Sequence, residues 1–196
     1  YTDEINESSL YAIVDVETTG LNPNYHEMID IGMIIINQNL EIQGQYYSKV
    51  LPNFPDRVDS MAKHINGFDL KRWAQEEAIS EEDLIKGMSI FLNNYAGKPI
   101  FIAFNSWFDS SFVRNLLQEH GYKFNDWFDY RVLDIPSMAL ACGYFPKTPD
   151  FNANLATLLE VQPETNDPLN HTGESGVNFN YALLKSLMNQ GCFSYN

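Results

Sequence analysis

The chain has 196 residues, 44% hydrophobic and 14% aromatic, which is enough for one well-buried domain and too apolar for a disordered segment. Its net charge of −14 argues against gripping long nucleic acid through a broad basic face, and it has no apolar run of the roughly 18 residues a bilayer requires. Tyr1 to Glu4 lack the basic and apolar regions of a secretory leader, and Cys142 and Cys192 have neither metal-ligand spacing nor a disulfide framework. The expectation is a soluble, cytoplasmic single domain over 1–196 with no membrane partner.

Tyr11 to Val14 is an apolar run leading into Asp15-Val16-Glu17-Thr18-Thr19-Gly20. In a strand, residues i and i+2 share a face, so Asp15 and Glu17 project together while Val14 and Val16 point into the opposite layer. Adjacent carboxylates repel, and a proton or a hard divalent cation such as Mg²⁺ or Mn²⁺ relieves that repulsion. Gly20 then allows a tight turn whose backbone can approach a ligand. Taken alone, the pair is better explained as an edge strand ending in solvated acids, and the rest of the chain must overturn that reading. Met28 to Ile36 and Glu41 to Val50 read as second and third strands of an antiparallel meander. Leu51 to Pro55 breaks the pattern, and His64-Ile65-Asn66-Gly67 reads as a turn after a short helix. Arg57, Lys63, Lys71 and Arg72 fall in this segment, as a small basic patch or as scattered solvated charges.

Ser80 precedes an acidic first turn and a helix carrying Leu84, Ile85, Met88, Phe91 and Leu92, ending near Gly97-Lys98-Pro99. Ile100 to Phe104 is a buried strand running into Asn105-Ser106-Trp107-Phe108-Asp109. The following helix turns Phe112, Val113, Leu116 and Leu117 inward and stops at Gly121, with Ser106 and Asp109 spaced as a capping box. Arg131 to Ile135 reads as a strand, Pro136 to Ala141 and Leu155 to Glu160 as short helices, Gln162 to Gly176 as a loop, and Val177 to Met188 as a closing helix. This order implies an α/β fold, a mixed sheet covered by helices with the Asp15 strand at its centre. The aromatic group Trp107, Phe108, Trp127, Phe128 and Tyr130 is either core or a contact patch.

His171 lies in the polar loop before the last helix, and histidine can accept a proton near neutral pH. The Asp15–Gly20 motif, the N-x-x-F-D pattern ending at Asp109, and His171 occur in the order of one family, whose H-G-I-T segment His64-Ile65-Asn66-Gly67 also looks like. From about Tyr11 to Met188 the chain resembles the DEDDh 3′–5′ exonucleases, the DnaQ-like members of the ribonuclease H-like superfamily. The resemblance implies a ribonuclease H-like mixed β-sheet, antiparallel meander plus parallel strands, flanked by helices. It further implies hydrolysis of phosphodiester bonds at the 3′ end of DNA or RNA with two ions of Mg²⁺ or Mn²⁺, held about 3.5–4 Å apart.

Carried over by position, Asp15 would bridge both ions, Glu17 would hold the nucleophile-side ion, Asp109 would support the second through water, and His171 would be the general base. Thr18, Thr19 and Leu21 would pack against the terminal nucleotide, with His64 as a further substrate-binding candidate. The family's third motif, H-x-A-x-x-D, departs here: His171-Thr172-Gly173-Glu174-Ser175-Gly176 places Gly176 where the fourth acid stands. Loss of even an outer partner of a metal commonly costs about 10–100-fold, so loss of a ligating carboxylate should cost at least that. Glu174, two residues early, is the candidate substitute. The expectation is an exonuclease impaired at Gly176; the alternative is a non-catalytic nucleic-acid or protein-binding module that retains the fold.

Overall fold

The computed structural model describes residues 9–145 and 150–193. Five strands, β1 (Tyr11–Thr18), β2 (Met28–Ile36), β3 (Ile42–Lys49), β4 (Ile100–Ala103) and β5 (Val132–Asp134), form one sheet in the order β3-β2-β1-β4-β5. The first three pair antiparallel, and β4 and β5 join them parallel. β1 is therefore central, as the meander followed by a buried apolar run implies. Among the described residues the helices are α1 (Ser60–Asn66), α2 (Leu70–Gln75), α3 (Glu81–Leu92), α4 (Ser106–Glu119), α5 (Phe124–Trp127), α6 (Ile135–Ala141), α7 (Phe151–Leu158) and α8 (Gly173–Asn189). None is long and apolar enough to cross a membrane.

The period-two pattern of β1 divides the core. Ala12, Val14 and Val16 pack with Leu84 and Met88 of α3 and with Phe112, Val113 and Leu117 of α4. Tyr11 and Ile13 pack with Ile135 of α6, Leu155 of α7, and Val177, Leu183 and Leu187 of α8. With helices on both faces, β2 is buried at every position, which is why its sequence is a continuous apolar run rather than an alternation. A small third cluster of Ile29, Phe68 and Trp73 fastens α2 to the sheet, the Trp73 indole donating to Ile29 O at 2.6 Å.

Several expectations shift, and α7 is one, running Phe151–Leu158 where Leu155 to Glu160 is expected. α8 begins at Gly173 rather than Val177, because Thr172 and Ser175 cap each other's backbone and extend the helix toward His171. Gly176 thus lies inside a helix, not in the loop. His64, Ile65 and Asn66 complete α1, and only Gly67, at φ 61°, turns the chain. α2 and α5 are too short for a periodicity to reveal them. The aromatic group splits, since Trp127 and Phe128 are core while Trp107 and Tyr130 are exposed. Cys142 and Cys192, separate in sequence, meet as free thiols that hydrogen-bond to each other, and burial with that contact pushes Cys192 up to about 11.

Candidate active site

The parallel ladder of β1 with β4 covers only Tyr11 to Ile13, and β1 runs on beyond it. The N–H of Val16, past that ladder, donates to Asp109 Oδ1 at 3.0 Å. Asp109 reaches it from the first turn of α4, whose N-cap is Asn105 in the left-handed region (φ 55°, ψ 53°). Asparagine tolerates that conformation, and it lets the chain pass from β4 into α4 in one step. Asn105 makes no side-chain cap bond, so the expected Ser106–Asp109 capping box does not form. The carboxylate is spent across the sheet, at the C-terminal ends of parallel strands where open α/β folds bind ligands.

Asp15 and Glu17 share the face of β1 that α8 covers, Asp15 opposite Gly32 and Glu17 opposite Asp30. Burial, followed by repulsion from Asp109 and Glu17, holds the Asp15 carboxyl well above the usual range. Burial likewise holds Asp109 well above it, and it raises Glu17 despite the opposing pull of His171. His171 Nε2 lies 3.2 Å from Glu17 Oε1, and its Nδ1 lies 3.0 Å from Thr165 O. The hydrogen bond to Glu17 raises the His171 pKa to about 9. Gly176 faces the same spot: a Cβ there would stand 2.2 Å from Asp15 Oδ2 and 2.3 Å from its Cγ. The Asp15 carboxylate fills the space a side chain at 176 would take.

The three acids offer the hard oxygen donors that Mg²⁺ and Mn²⁺ prefer. Yet Asp109 is turned to Val16, Glu17 to His171, and Asp15 toward Gly176. Among the described residues, no three Asp, Glu, His or Cys side chains are arranged to hold an ion. As they stand, these residues do not compose the two-ion set that the resemblance implies.

Asp15, Glu17, Asp109, His171 and Gly176 are thus brought together, and the remaining candidates are placed otherwise. Glu174 is exposed, its charge acting on Asp30 and Tyr47. Thr18 and Thr19 are buried and already committed: Thr18 Oγ1 donates to Gly20 O, Thr19 Oγ1 accepts from Glu27 N–H, and the Thr18 and Thr19 carbonyls accept from Asn66 and Asp59. Leu21 is 78% exposed, and His64 is exposed on α1. The basic segment does not form one patch, since Arg57 stacks on Phe54 at 3.8 Å while Arg72 pairs with Glu76 at 2.8 Å.

Sequence reasoning passes over Asp30 and Asn66. Asp30, 4% exposed, accepts the Gly173 N–H at 3.0 Å, so it caps α8, and it pairs with Lys49 at 2.9 Å. A lone acid inside the apolar run of β2 is the signal that could have revealed it. Asn66, 2% exposed, ties α1 to the end of β1. A buried polar residue at a helix end leaves no such mark in the sequence.

These shifts share one sign for stability. Asp15, Glu17, Asp30, Asp109 and His171 all hold protons more tightly when folded than when unfolded. Stability must then fall as pH rises above the ordinary carboxylate range. The His171 contribution is fully present below its unfolded value of about 6.5 and is lost as pH rises through about 9. Glu76, Asp83 and Asp129 are shifted downward, so their contributions change only at lower pH. Melts of the metal-free protein are expected to lose several degrees between about pH 5.5 and about pH 9. A melting temperature that climbs over that interval would refute the raised values.

A family model described as exonuclease, RNase_T, matches residues 12–174, ending just short of Gly176. Ribonuclease T of Buchnera aphidicola is 24% identical over 177 residues, covering 79% of each chain. The PolC-type DNA polymerase III of Thermotoga petrophila is 29% identical over 112 residues, 57% of this chain and 8% of the polymerase. In fold, the chain is similar to E. coli Exonuclease I in complex with a dT13 oligonucleotide, with TM-score 0.75, 18% identity, and coverage of 91% of this chain and 41% of that one. It is also similar to the nuclease domain of 3′hExo, a DEDDh family member bound to rAMP, with TM-score 0.69, 20% identity and 95% coverage of each. A zinc-ion-bound form of the E. coli ExoI–ssDNA complex has the same fold, at TM-score 0.74. The chain therefore spans under half of Exonuclease I and a small fraction of the polymerase. Because the family match runs through most of its length, the chain belongs to the exonuclease family that this model describes.

Proposed function

We propose that the chain is a metal-dependent 3′–5′ exonuclease domain, acting on the 3′ end of DNA or RNA, whose hydrolysis is weakened at Gly176. The observation that carries this reading is that position 176 opens directly onto Asp15, with a Cβ there 2.2 Å from Oδ2. A carboxylate at 176 would join Asp15, Glu17 and Asp109, and without it those three acids, turned to other partners, fall short of a set that holds Mg²⁺ or Mn²⁺. Glu174, exposed and with its charge acting on Asp30 and Tyr47, is a poor replacement. Leu21, 78% exposed after the Thr18-Thr19-Gly20 turn, is the side chain available to a terminal base.

His171 is the general base of this reading. Nδ1 is committed to Thr165 O, so the proton of an attacking water would pass to Nε2, the nitrogen that faces Glu17. In the metal-free protein, with a pKa of about 9, the ring carries that proton at neutral pH, and a cation held by Glu17 would weaken that hold. One observation favours a non-catalytic module that binds a nucleic-acid end: Glu17 and Asp109 are already engaged by protein partners.

A time course with 5′-labelled DNA and RNA oligonucleotides in Mg²⁺ or Mn²⁺ separates the two. Shortening from the 3′ end is expected to be at least about tenfold faster for Gly176→Asp than for the unaltered chain. Silence from both proteins, with oligonucleotide binding intact, would replace the enzyme reading with the binding one.

A further inference from the structure

We infer that Glu164 is the positioning residue of His171, a carboxylate set behind the imidazole that fixes its orientation and its tautomer. The inference rests on the reading of His171 as general base. Glu164 Oε1 lies 3.6 Å from His171 Nδ1, and the carbonyl of the next residue, Thr165, lies 3.0 Å from the same nitrogen. A carbonyl oxygen only accepts, so Nδ1 is the protonated nitrogen and Nε2 is left to exchange protons on the Glu17 side, 3.2 Å away. At 3.6 Å the carboxylate is too far to be the main acceptor. It acts as a negative charge that favours retention of the Nδ1 proton.

Glu164 is itself anchored. Ser175 Oγ donates to Glu164 Oε1 at 2.6 Å, and Ser175 belongs to the reciprocal cap with Thr172 that starts α8. The ring is thereby held on its Nδ1 side by the 164–165 segment, which Ser175 ties to the start of α8, and on its Nε2 side by Glu17. The Glu164 side chain is 17% exposed, and its charge reaches Asp15 and Glu17, acids already crowded in a buried group. A further carboxylate there opposes the local charge balance, and a neutral side chain could serve Ser175 equally well. The feature that accounts for an acid at this position is the imidazole beside it. Metal-bound histidines are commonly oriented from behind in this way, and loss of such a partner costs about 10–100-fold in function.

The test compares Glu164→Ala, Glu164→Gln and the unaltered chain. In metal-free protein, the His171 Nδ1 proton is expected as one sharp, slowly exchanging NMR resonance. It should broaden in Glu164→Gln, which keeps an acceptor for Ser175 but loses the charge, and broaden further or vanish in Glu164→Ala. Dispersed amide signals elsewhere certify the fold. In the Gly176→Asp background, Glu164→Ala is expected to lower kcat about tenfold with KM for the oligonucleotide unchanged, and Glu164→Asp to recover part of the loss. A His171 resonance unaffected by Glu164→Ala overturns the inference, as does an unchanged kcat. If Gly176→Asp shows no hydrolysis, the functional reading fails, and the ring resonance still decides whether Glu164 positions His171.

Discussion

Gly176→Asp is expected to lower the melting temperature of the metal-free protein and, in the same protein, to create a strong stabilising response to Mn²⁺. The steric part is mild: the atoms in the way, Asp15 Oδ2 at 2.2 Å and Cγ at 2.3 Å, are the tip of a side chain that can rotate. The electrostatic part is not. Asp15 and Asp109 are already held well above the usual carboxylate range by burial, and a fourth acid in the same group adds another repulsion. Without a cation the penalty should be on the order of 1–3 kcal/mol, a loss of a few degrees. With a cation the same repulsion becomes affinity, and Mn²⁺ at about 100 times its dissociation constant would return roughly 2.7 kcal/mol. Melts with and without Mn²⁺, paired with calorimetric titration, would show the sign reversing in the variant and a weak response in the unaltered chain. A variant whose melt ignores Mn²⁺ would disconnect position 176 from the three acids.

What the sequence discloses about this site follows from which interactions are local. Asp15 and Glu17 are legible because a strand's period of two is written into five consecutive letters, and the buried run at Ile100 places β4 beside them. Asp109 is legible as a position but not as a contact. Its spacing from Ser106 matches a helix cap, yet the unpaired N–H of Val16, 93 residues away in sequence, takes the carboxylate. The basic segment misleads for the same reason. Arg72 reaches Leu169 O at 2.8 Å and so braces the loop before His171 instead of offering free charge to a phosphate. Glu164 and Asp30 carry no periodic signal at all, since one reads as a loop polar residue and the other as an interruption of a strand. Their roles appear only once α8 lies on the sheet.

That docking rests on two glycines, and Gly32→Ala is expected to be among the most damaging single-methyl changes in the chain. A Cβ at 32 would stand 2.1 Å from Gly173 O and 2.4 Å from Gly173 C, while one at 173 would stand 2.4 Å from Gly32 N. These obstacles are backbone and cannot rotate aside, so the start of α8 must lift by roughly 1 Å to reach ordinary contact. Lifting strains the Gly173 N–H bond to Asp30, now 3.0 Å, and the contact of His171 with Glu17, now 3.2 Å. Overpacking of about 1–3 kcal/mol and a weakened hydrogen bond to a buried charge of about 1.5–3 kcal/mol together suggest a loss of about 3–5 kcal/mol. For a chain of this size that is roughly 10 °C in Tm. Gly87→Ala is the control: it adds the same methyl inside α3, where the obstacle is the hydroxyl of Tyr46 at 2.5 Å, the movable end of a side chain. Helix propensity there favours alanine by about 1 kcal/mol, so that variant should melt close to the unaltered chain. Equal melting temperatures for the two variants would mean that the glycine contact does not hold α8, and the placement of His171 and Gly176 beside the acids would need another cause.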